Sequence, residues 1–340
     1  MARSSRPLYI TFDDNRHLPL LFGQHDENLL FIEKKLDISL TVRGNRLAIS
    51  GSPEQAHVAY NVLMILYQRI KLGFEINDSE IDAAINLSGK NKDQSSRGDS
   101  TNDSNKNKSH LKEEENFLND NTIVKTQKKS IIPRTHNQKN YLKTLYEKDL
   151  VFAIGPAGTG KTYLAVAIAV MMLSKGNVDR IILSRPAVEA GERLGFLPGD
   201  LREKVDPYLR PLYDALYDML PAEQVIRRIN AGDIEIAPLA FMRGRTLTNS
   251  FIILDEAQNT TPVQMKMFLT RLGERSRMVV TGDLTQIDLP KDIPSGLRHA
   301  MSILEHIPDI GIVRFDEQDV VRHPLVSKMV LAYKEKDQKL

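Results

Sequence analysis

Gly155-Pro-Ala-Gly-Thr-Gly-Lys-Thr162 is the most informative stretch of this 340-residue chain. It follows an apolar run at residues 150–154 and precedes an alanine-rich helical pattern. In such a loop, glycines let backbone N–H groups turn toward a polyphosphate, the lysine reaches the β and γ oxygens, and the last hydroxyl is a ligand for Mg²⁺. The pattern therefore predicts a phosphate-binding loop. Its predicted nucleotide contacts are Gly155, Pro156, Ala157, Gly158, Thr159, Gly160, Lys161 and Thr162, with Thr162 also a metal ligand.

Strand and helix patterns alternate around this loop, from about residue 131 to the end of the chain. Apolar runs typical of buried strands lie at residues 150–154, 180–183, 234–236, 251–254, 278–280 and 311–313. Helical patterns lie between them, for example at 161–173, 262–272 and 295–304. Repeated alternation predicts an α/β fold of the P-loop NTPase class, with a doubly wound, mostly parallel sheet. In such a sheet the ligand binds beyond the carboxyl ends of the strands.

Two adjacent acids, Asp255 and Glu256, follow the strand predicted at 251–254. Beside a phosphate loop, such a pair holds magnesium and orients water, so Asp255 is the predicted metal ligand and Glu256 the group that polarises the attacking water. An acidic pair after a strand is also common in solvated turns and at helix starts. The upstream Lys161 favours the functional interpretation, because the two motifs act together.

A polar cluster, Thr281-Gly-Asp-Leu-Thr-Gln286, follows the strand predicted at 278–280. In a parallel sheet such a cluster lies beside the phosphate site, so Gln286 is a candidate contact for the γ-phosphate or the attacking water. The alternative is that Gly282 and Asp283 form only a turn. Spacing alone leaves both interpretations open.

The composition is that of an ordinary globular protein, with 41% hydrophobic residues and 46 Lys and Arg against 44 Asp and Glu. A net charge of +2 excludes a polycation that would bind nucleic acid by bulk charge, although a local basic stripe stays open. The absence of cysteine excludes disulfides, thiolate metal centres and a cysteine nucleophile. The eight histidines form no pair at metal-ligand spacing.

The start of the chain shows no secretory signal, because acidic residues come before any sustained apolar region. The longest apolar stretch, at residues 163–173, is far shorter than the roughly 20 residues that span a bilayer. We therefore expect a cytoplasmic protein without a membrane segment.

Residues 88–110 contain no hydrophobic residue at all. Such a segment cannot bury enough apolar surface to offset the entropy of ordering it, and 111–130 is only slightly less polar. The chain is therefore predicted to consist of a small α/β domain at 1–86, a disordered linker at 87–130 and the P-loop core at 131–340. In the first domain we expect strands at 8–12, 38–42 and 47–49, a helix at 26–36, and a helix at 56–70 capped by Ser52 and Pro53.

The motifs GPAGTGKT, ILDEAQN and TGDLTQIDLP, in this order, resemble the ATPase core of superfamily 1 helicases and, more closely, the bacterial PhoH-like family. The stretches at 184–200, 241–247 and 320–326 resemble signatures of that family. The resemblance covers about 133–333 and, less specifically, about 7–73. It implies a RecA-like ATPase core preceded by a KH-like domain, and ATP and Mg²⁺ as ligands.

The resemblance also assigns roles to single residues. Asp255 would be the magnesium ligand, Glu256 the general base and Gln286 the γ-phosphate sensor, and Lys161 completes the catalytic set. Gln138 would read the adenine edge, although Thr135 and Gln138 can also form a capping box that opens a helix at Lys139. Arg322 would stabilise charge on the transferred phosphoryl group. The alternative for Arg322 is a surface arginine before the last helix.

Two departures from the family pattern bear on function. Superfamily 1 helicases place ATP between two cores, whereas the roughly 210 residues here suffice for one, so a homo-oligomer, such as a hexameric ring, would have to supply the second. The segment Phe22-Gly-Gln-His-Asp-Glu-Asn28 has one glycine where a KH domain that grips nucleic acid uses Gly-x-x-Gly. RNA binding by that loop is therefore doubtful.

We expect an ATP hydrolase coupled to RNA handling, either helicase-like or in RNA metabolism and ribosome maturation. Its partners would be single-stranded RNA and a ribonuclease or a ribosome-maturation factor. The alternative is an ATP-gated regulatory or adaptor protein, linked to phosphate or stress, that does not act on RNA directly. Arginines and aromatic residues between Ser184 and Arg245, Arg185 among them, are candidates for an RNA path, or pack internally at helical spacing.

Overall fold

The computed structural model describes residues 7–89, 123–186 and 201–321, together with 326 and 329. Within the helix that starts at 201, side chains are described from Tyr208 onward. Contacts divide the chain into two compact units. Of the described residues, the first comprises 7–89 together with 134–136, and the second comprises 123–133 and those from 137 onward.

The first unit is a three-stranded antiparallel sheet covered by helices. Its elements are β1 (Leu8–Thr11), α1 (Leu18–Phe22), α2 (Glu27–Leu36), β2 (Ser39–Arg43), β3 (Arg46–Ser50), α3 (Pro53–Lys71) and α4 (Asp78–Gly89). The strand order is β1-β3-β2, with both pairs antiparallel. As predicted, Ser52 caps α3 by accepting a hydrogen bond from the Gln55 backbone N–H at 3.2 Å. The small α/β unit expected from the sequence is therefore present.

The helix α4 continues to Gly89, past residue 87 at which the linker was predicted to begin. Apolar side chains upstream, Ile81 and Ala84, are fully buried, and the Ser88 hydroxyl donates to the Ala84 carbonyl oxygen at 2.9 Å. The last turn of α4 is therefore stabilised by residues that lie before the predicted linker. The composition of the residues after 87 does not include these contacts. The rest of the predicted linker up to 122 lies outside the described residues.

The second unit is built on a six-stranded sheet, and every strand pair is parallel. Its strands are β6 (Leu150–Ile154), β7 (Arg180–Arg185), β8 (Ile234–Pro238), β9 (Ser250–Leu254), β10 (Arg277–Gly282) and β11 (Ile310–Arg314), in the order β11-β6-β10-β9-β7-β8. All six were predicted at these places. Strand order does not follow chain order, as expected of a doubly wound fold.

Helices cover both faces of this sheet. They are α5 (His136–Glu147), α6 (Lys161–Ser174), α7 (Leu201–Met219), α8 (Ala222–Ala231), α9 (Pro262–Leu269) and α10 (Gly296–Leu304). On β6, Val151 and Ala153 join a core with α5 to α8, while Phe152 and Ile154 join a second core with α9 and α10. The alternation of side chains along a strand produces these two layers. In the described part of the chain, no helix is long and apolar enough to cross a membrane.

A short hairpin, β4 (Val124–Lys125) with β5 (Ser130–Ile131), precedes the sheet and belongs to the second unit. Val124 is fully buried in the core of that unit, and the Lys128 backbone N–H donates to the Met219 carbonyl oxygen at 3.2 Å. The ordered unit therefore starts before residue 131, the predicted boundary. Isolated apolar residues such as Val124 hardly change the composition of a polar stretch. Composition therefore does not reveal that burial of Val124 orders this hairpin.

Candidate nucleotide-binding site

A cavity of about 240 Å³ opens at the carboxyl ends of β6, β9 and β10. It is lined by residues of the phosphate loop and by Asp255, Glu256, Asp283 and Gln286. Three motifs that lie far apart in sequence therefore meet at one edge of the sheet. This is the position at which a doubly wound sheet binds its ligand.

Two glycines shape the loop. Gly155 has φ +152°, and a Cβ atom at this position would lie 2.5 Å from the Phe315 carbonyl oxygen, so the loop leaves β6 in tight contact with the chain after β11. Gly160 has φ +81° and caps the N-terminus of α6. Both conformations favour glycine, since L side chains rarely adopt them. The loop thereby presents its backbone at the positive end of a helix dipole.

Lys161 is buried, with 9% of its surface exposed, and its ammonium group lies over the loop. Nζ donates to the carbonyl oxygens of Gly155 at 2.7 Å and Pro156 at 2.8 Å. Burial lowers the pKa of this amine, and the nearby carboxylates Asp283, Asp255 and Glu256 act in the opposite direction. The lysine thus lies among the acids of the site, where it can turn toward a phosphate oxygen.

The two predicted metal ligands are in direct contact. The Thr162 hydroxyl donates to Asp255 Oδ1 at 2.5 Å, and the Thr281 hydroxyl donates to the same oxygen at 2.8 Å. A hydroxyl and a carboxylate are the hard oxygen ligands that Mg²⁺ uses beside substrate phosphates and water. Among the described residues no group of three or more His, Asp or Glu side chains could hold a metal. The pair therefore fits a magnesium site that phosphate oxygens complete.

Glu256 follows directly and lies at the mouth of the cavity with its side chain 37% exposed. Its backbone is left-handed, with φ 52°, although it is not a glycine. A left-handed residue with a side chain costs about 1–2 kcal/mol, and such strain concentrates at functional sites. Gln258 Nε2 donates to Glu256 Oε2 at 2.6 Å, so the carboxylate is held in place. Its proposed role as a base stays a prediction.

The cluster after β10 forms a turn, and its residues Asp283 and Gln286 also line the cavity. Contact of Gln286 with a γ-phosphate or the attacking water stays a prediction. Asp283 Oδ1 accepts from the Thr285 backbone N–H at 2.9 Å, which forms the turn. Its Oδ2 accepts from Gln286 Nε2 at 2.6 Å and from the Ala157 N–H of the phosphate loop at 3.2 Å. Burial favours protonation of Asp283, but the hydrogen bonds from Thr285 and Gln286 and the charge of Lys161 outweigh it and lower its pKa. The anionic carboxylate thus ties the turn to the loop.

A sequence model of the family described as "PhoH-like protein" matches residues 130–334. The chain belongs to this family. The PhoH-like protein of Bacillus subtilis (strain 168) is 49% identical over 313 residues, which are 92% of this chain and 92% of that protein. A PhoH-like protein of Mycobacterium tuberculosis is 50% identical over 313 residues, 92% of this chain and 84% of that one.

Protein PhoH of Escherichia coli is 50% identical over 205 residues, which are 60% of this chain and 58% of that protein. Among solved structures, the SWI2/SNF2 ATPase core of Sulfolobus solfataricus aligns with a TM-score of 0.34 at 13% identity, covering 59% of this chain and 47% of that one. That distant likeness carries no argument about activity. Membership of the PhoH-like family, together with the loop and the acids that meet it, identifies a P-loop nucleotide-binding site.

The PhoH-like site contains a residue for which the sequence analysis assigned no role, Gln258. It is 1% exposed, and its Nε2 donates to Glu256 and to the Gln286 carbonyl oxygen, while Oε1 accepts from the Asp283 N–H at 3.0 Å. One amide thereby joins the acidic segment after β9 to the turn after β10. In the sequence, the position of Gln258 two residues after Glu256 is the signal that could have indicated its place in the site.

Arg185 also lies at the PhoH-like site, although it was predicted for an RNA path. It ends β7, with Nη2 3.5 Å from Glu256 Oε1 and Nη1 4.0 Å from Asp255 Oδ2. Nη1 also donates to the carbonyl oxygen of Tyr208 in α7 at 3.2 Å. The guanidinium thus faces Asp255 and Glu256, because β7 pairs with β9 in the sheet.

Other candidates for the RNA path divide in two. The helical spacing in α7 is confirmed as core, since Leu209, Leu212 and Leu216 are buried. Phe241 is 50% exposed, whereas Arg245 forms a two-pronged ion pair with Glu235. Arg210 and Arg243 are exposed, whereas Arg193, Phe196 and the side chain of Arg202 lie outside the described residues.

Gln138 lies beside the PhoH-like loop and is 5% exposed. Its Nε2 donates to the Thr159 carbonyl oxygen at 3.1 Å, so the amide contacts the loop itself. The helix α5 begins at His136, earlier than the predicted start at Lys139. Arg322 lies outside the described residues. The residue before it, Val321, donates its backbone N–H to the Gly158 carbonyl oxygen at 3.1 Å.

Proposed function

We propose that this chain is a Mg²⁺-dependent ATP hydrolase whose activity is coupled to the handling of single-stranded RNA. The contact between Thr162 and Asp255 carries the ATPase part, because it joins the two metal-binding groups beside the lysine of a phosphate loop. A chance turn has no reason to place a hydroxyl and a carboxylate 2.5 Å apart at the helix N-terminus that follows the loop. Family membership supports the same activity.

In this proposal each residue of the site has one task. Lys161 leaves the loop carbonyls to donate to phosphate oxygens, and Thr162 and Asp255 hold the metal ion. Bound Mg²⁺ would neutralise charge on the β and γ oxygens. Glu256 accepts a proton from the attacking water, and Gln286 contacts the γ-phosphate.

Two further roles concern the rest of the nucleotide. Gln138 would read the adenine edge, since its amide already lies against the loop at Thr159. Arg322 would stabilise charge on the transferred phosphoryl group.

Glu256→Gln tests the ATPase proposal. The amide keeps the shape of the side chain but accepts no proton, so we expect ATP to bind with unchanged affinity while kcat falls by about 10²- to 10⁴-fold. Nucleotide titration and steady-state turnover measure the two quantities. Glu274→Gln removes an equal charge from an exposed position and should change neither. Unchanged turnover of Glu256→Gln would remove Glu256 from the role of base.

Coupling to RNA is tested by ATPase activity with and without single-stranded RNA over a series of salt concentrations. Phosphate contacts release counterions, so stimulation should weaken steeply as salt increases. The first unit begins with the succession β-α-α-β-β-α, before α4, and this succession, which fits a KH-like domain, supports this part of the proposal. Absence of stimulation at low salt would contradict it.

The second candidate is an ATP-gated regulatory or adaptor protein that does not bind RNA. The connection between α1 and α2 favours it. There Gly23 is followed by Gln24, His25 and Asp26, so an acid replaces the second glycine of the loop that grips nucleic acid in KH domains. In both cases we propose action in the cytoplasm and a homo-oligomer, with a ribonuclease or ribosome-maturation factor as the protein partner.

A further inference from the structure

One face of the three-stranded sheet is not covered by any helix of the described residues. Ile10, Leu47 and Ile49 point to the other face and are buried against α1 to α3. Because side chains alternate along a strand, the remaining positions share the open side. We call this the outer sheet face; it comprises Tyr9, Thr11, Ser39, Thr41, Arg43, Arg46, Ala48 and Ser50. All of these are exposed except Ala48, which is half-buried.

The charges on the outer sheet face are unbalanced. Arg43 and Arg46 stand directly opposite each other across the β2–β3 pair, on either side of the Gly44-Asn45 turn. Like charges at such positions destabilise a hairpin. No acidic residue belongs to the face, and neither arginine forms an ion pair within the described part of the chain. The pair therefore opposes folding locally, and an anion bound between the two guanidinium groups would relieve it.

An exposed aromatic ring lies beside the arginines. Tyr9 on β1 is 53% exposed, and the guanidinium carbon of Arg46 lies 5.2 Å from the centroid of its ring. Thr11 pairs with Arg46 and adds a hydroxyl to the same face. An open ring next to cations is the arrangement on which a base stacks while its phosphates are neutralised. A solvated sheet face needs hydroxyls, but it has no need of an exposed tyrosine beside two arginines that form no ion pair with any described residue.

We propose that the outer sheet face binds single-stranded RNA. A base stacks on Tyr9, and a backbone phosphate lies between Arg43 and Arg46. The hydroxyls of Thr11 and Thr41 are placed to donate to the sugar and phosphate. Alternation of a ring with cations matches the alternation of bases and phosphates in a single strand, which an acidic peptide would not offer. The inference rests on the RNA part of the proposed function and assigns RNA to the sheet, away from the loop that ends in Asp26.

The test is fluorescence anisotropy of a labelled single-stranded oligoribonucleotide of mixed sequence, titrated with the full chain over a salt series. Tyr9→Ala should weaken binding by about 5- to 100-fold, and Tyr9→Phe should retain it, because a ring suffices for stacking. Arg43→Ser with Arg46→Ser should reduce the slope of log affinity against log salt by about 0.7, the value for the one single-strand phosphate that the pair is proposed to neutralise. The midpoint of thermal unfolding of this double variant should not fall, since the substitutions remove the repulsion between the two guanidinium groups.

Lys266→Ser with Arg298→Ser is the matched control, because it removes two exposed positive charges from α9 and α10. This variant should keep both affinity and salt slope. ATP turnover without RNA should be equal in all variants. If the wild type binds RNA and the Tyr9 and arginine variants bind it equally well, the outer sheet face is not the binding site. That result would leave the coupling of ATP hydrolysis to RNA intact. No binding by the wild type even at low salt would overturn the RNA part of the proposed function as well.

Discussion

Gln258 connects Glu256 with the turn at 283–286, because its single amide bonds to both. A buried amide with three partners fixes the positions of all of them, and loss of the amide would leave each of the three without this bond. The carboxylate of Glu256 is exposed enough to move, so its orientation depends on this amide. At the scale of a single residue, Gln258 therefore positions Glu256, the predicted base.

We expect Gln258→Ala to lower kcat by about 10- to 100-fold with little change in the KM for ATP, since a misplaced base affects the transition state and not nucleotide binding. The neighbouring Asn259→Ala is the matched control. Asn259 is similarly buried, and its side chain accepts from the Asp288 backbone N–H at 2.8 Å. Its backbone N–H donates to the Glu256 carbonyl oxygen at 3.0 Å, a bond that the substitution leaves in place. Equal kcat values for the two variants would contradict the positioning role.

Arg185 adds a positive charge close to the acid that is predicted to bind magnesium. A cation beside Asp255 competes with Mg²⁺ for the same carboxylate, although screening makes the effect modest. We expect Arg185→Gln to lower the Mg²⁺ concentration at half-maximal activity by about two- to tenfold and to lower kcat, because Glu256 loses a neighbour. Arg180→Gln, at the exposed other end of β7, should alter neither value. An unchanged Mg²⁺ dependence would refute this prediction.

At the scale of elements, the phosphate loop depends on the close approach of β6 and the chain after β11. Gly155 makes this possible, because any Cβ there would meet Phe315 at 2.5–2.6 Å. The Phe315 N–H in turn donates to the Ile154 carbonyl oxygen at 2.7 Å. A strand pair and a glycine without a side chain thus define where the loop begins.

We expect Gly155→Ala to destabilise the second unit by about 2–5 kcal/mol, which combines the cost of a positive φ with that of overpacking. Gly176→Ala separates the two costs. Gly176 also has a positive φ, +70°, but a Cβ there would meet nothing within 4 Å, so about 1–2 kcal/mol is expected. Denaturant unfolding measures both values. Equal losses would mean that the contact with Phe315 adds nothing.

At the scale of the whole molecule, the two units have separate hydrophobic cores. Leu63 is fully buried in the first unit and Leu145 is 1% exposed in the second. Burial within separate cores allows each unit to unfold by its own transition. The nucleotide site belongs to the second unit alone.

Calorimetry of the full chain should therefore show two transitions. Leu63→Ala should lower the midpoint of one transition and Leu145→Ala the midpoint of the other. Each substitution should reduce the unfolding free energy of its unit by about 2–5 kcal/mol. ATP with Mg²⁺ should raise only the transition that Leu145→Ala lowers, because a ligand stabilises the unit that binds it. A single transition lowered by both substitutions and raised by ATP would show that the units unfold together.

Much of this molecule follows from local patterns in its sequence. Six apolar runs predict the six strands of the large sheet, because buried parallel strands need continuous apolar residues. The glycines and Lys161 predict the loop, because only such residues let a backbone wrap a phosphate. Asp255 and Thr162 are predicted as metal ligands for the same reason. Each of these features depends on residues that lie close together in the sequence.

Other features depend on contacts between residues far apart in the chain. The strand order brings Arg185 to the two acids, and the register of β2 with β3 sets Arg43 against Arg46. Gln258 meets the turn at Asp283 only because β9 and β10 are neighbours. Val124 becomes ordered because a core outside its own segment buries it. Strand order and register follow from packing of the entire unit, so no local pattern of residues could have predicted these contacts.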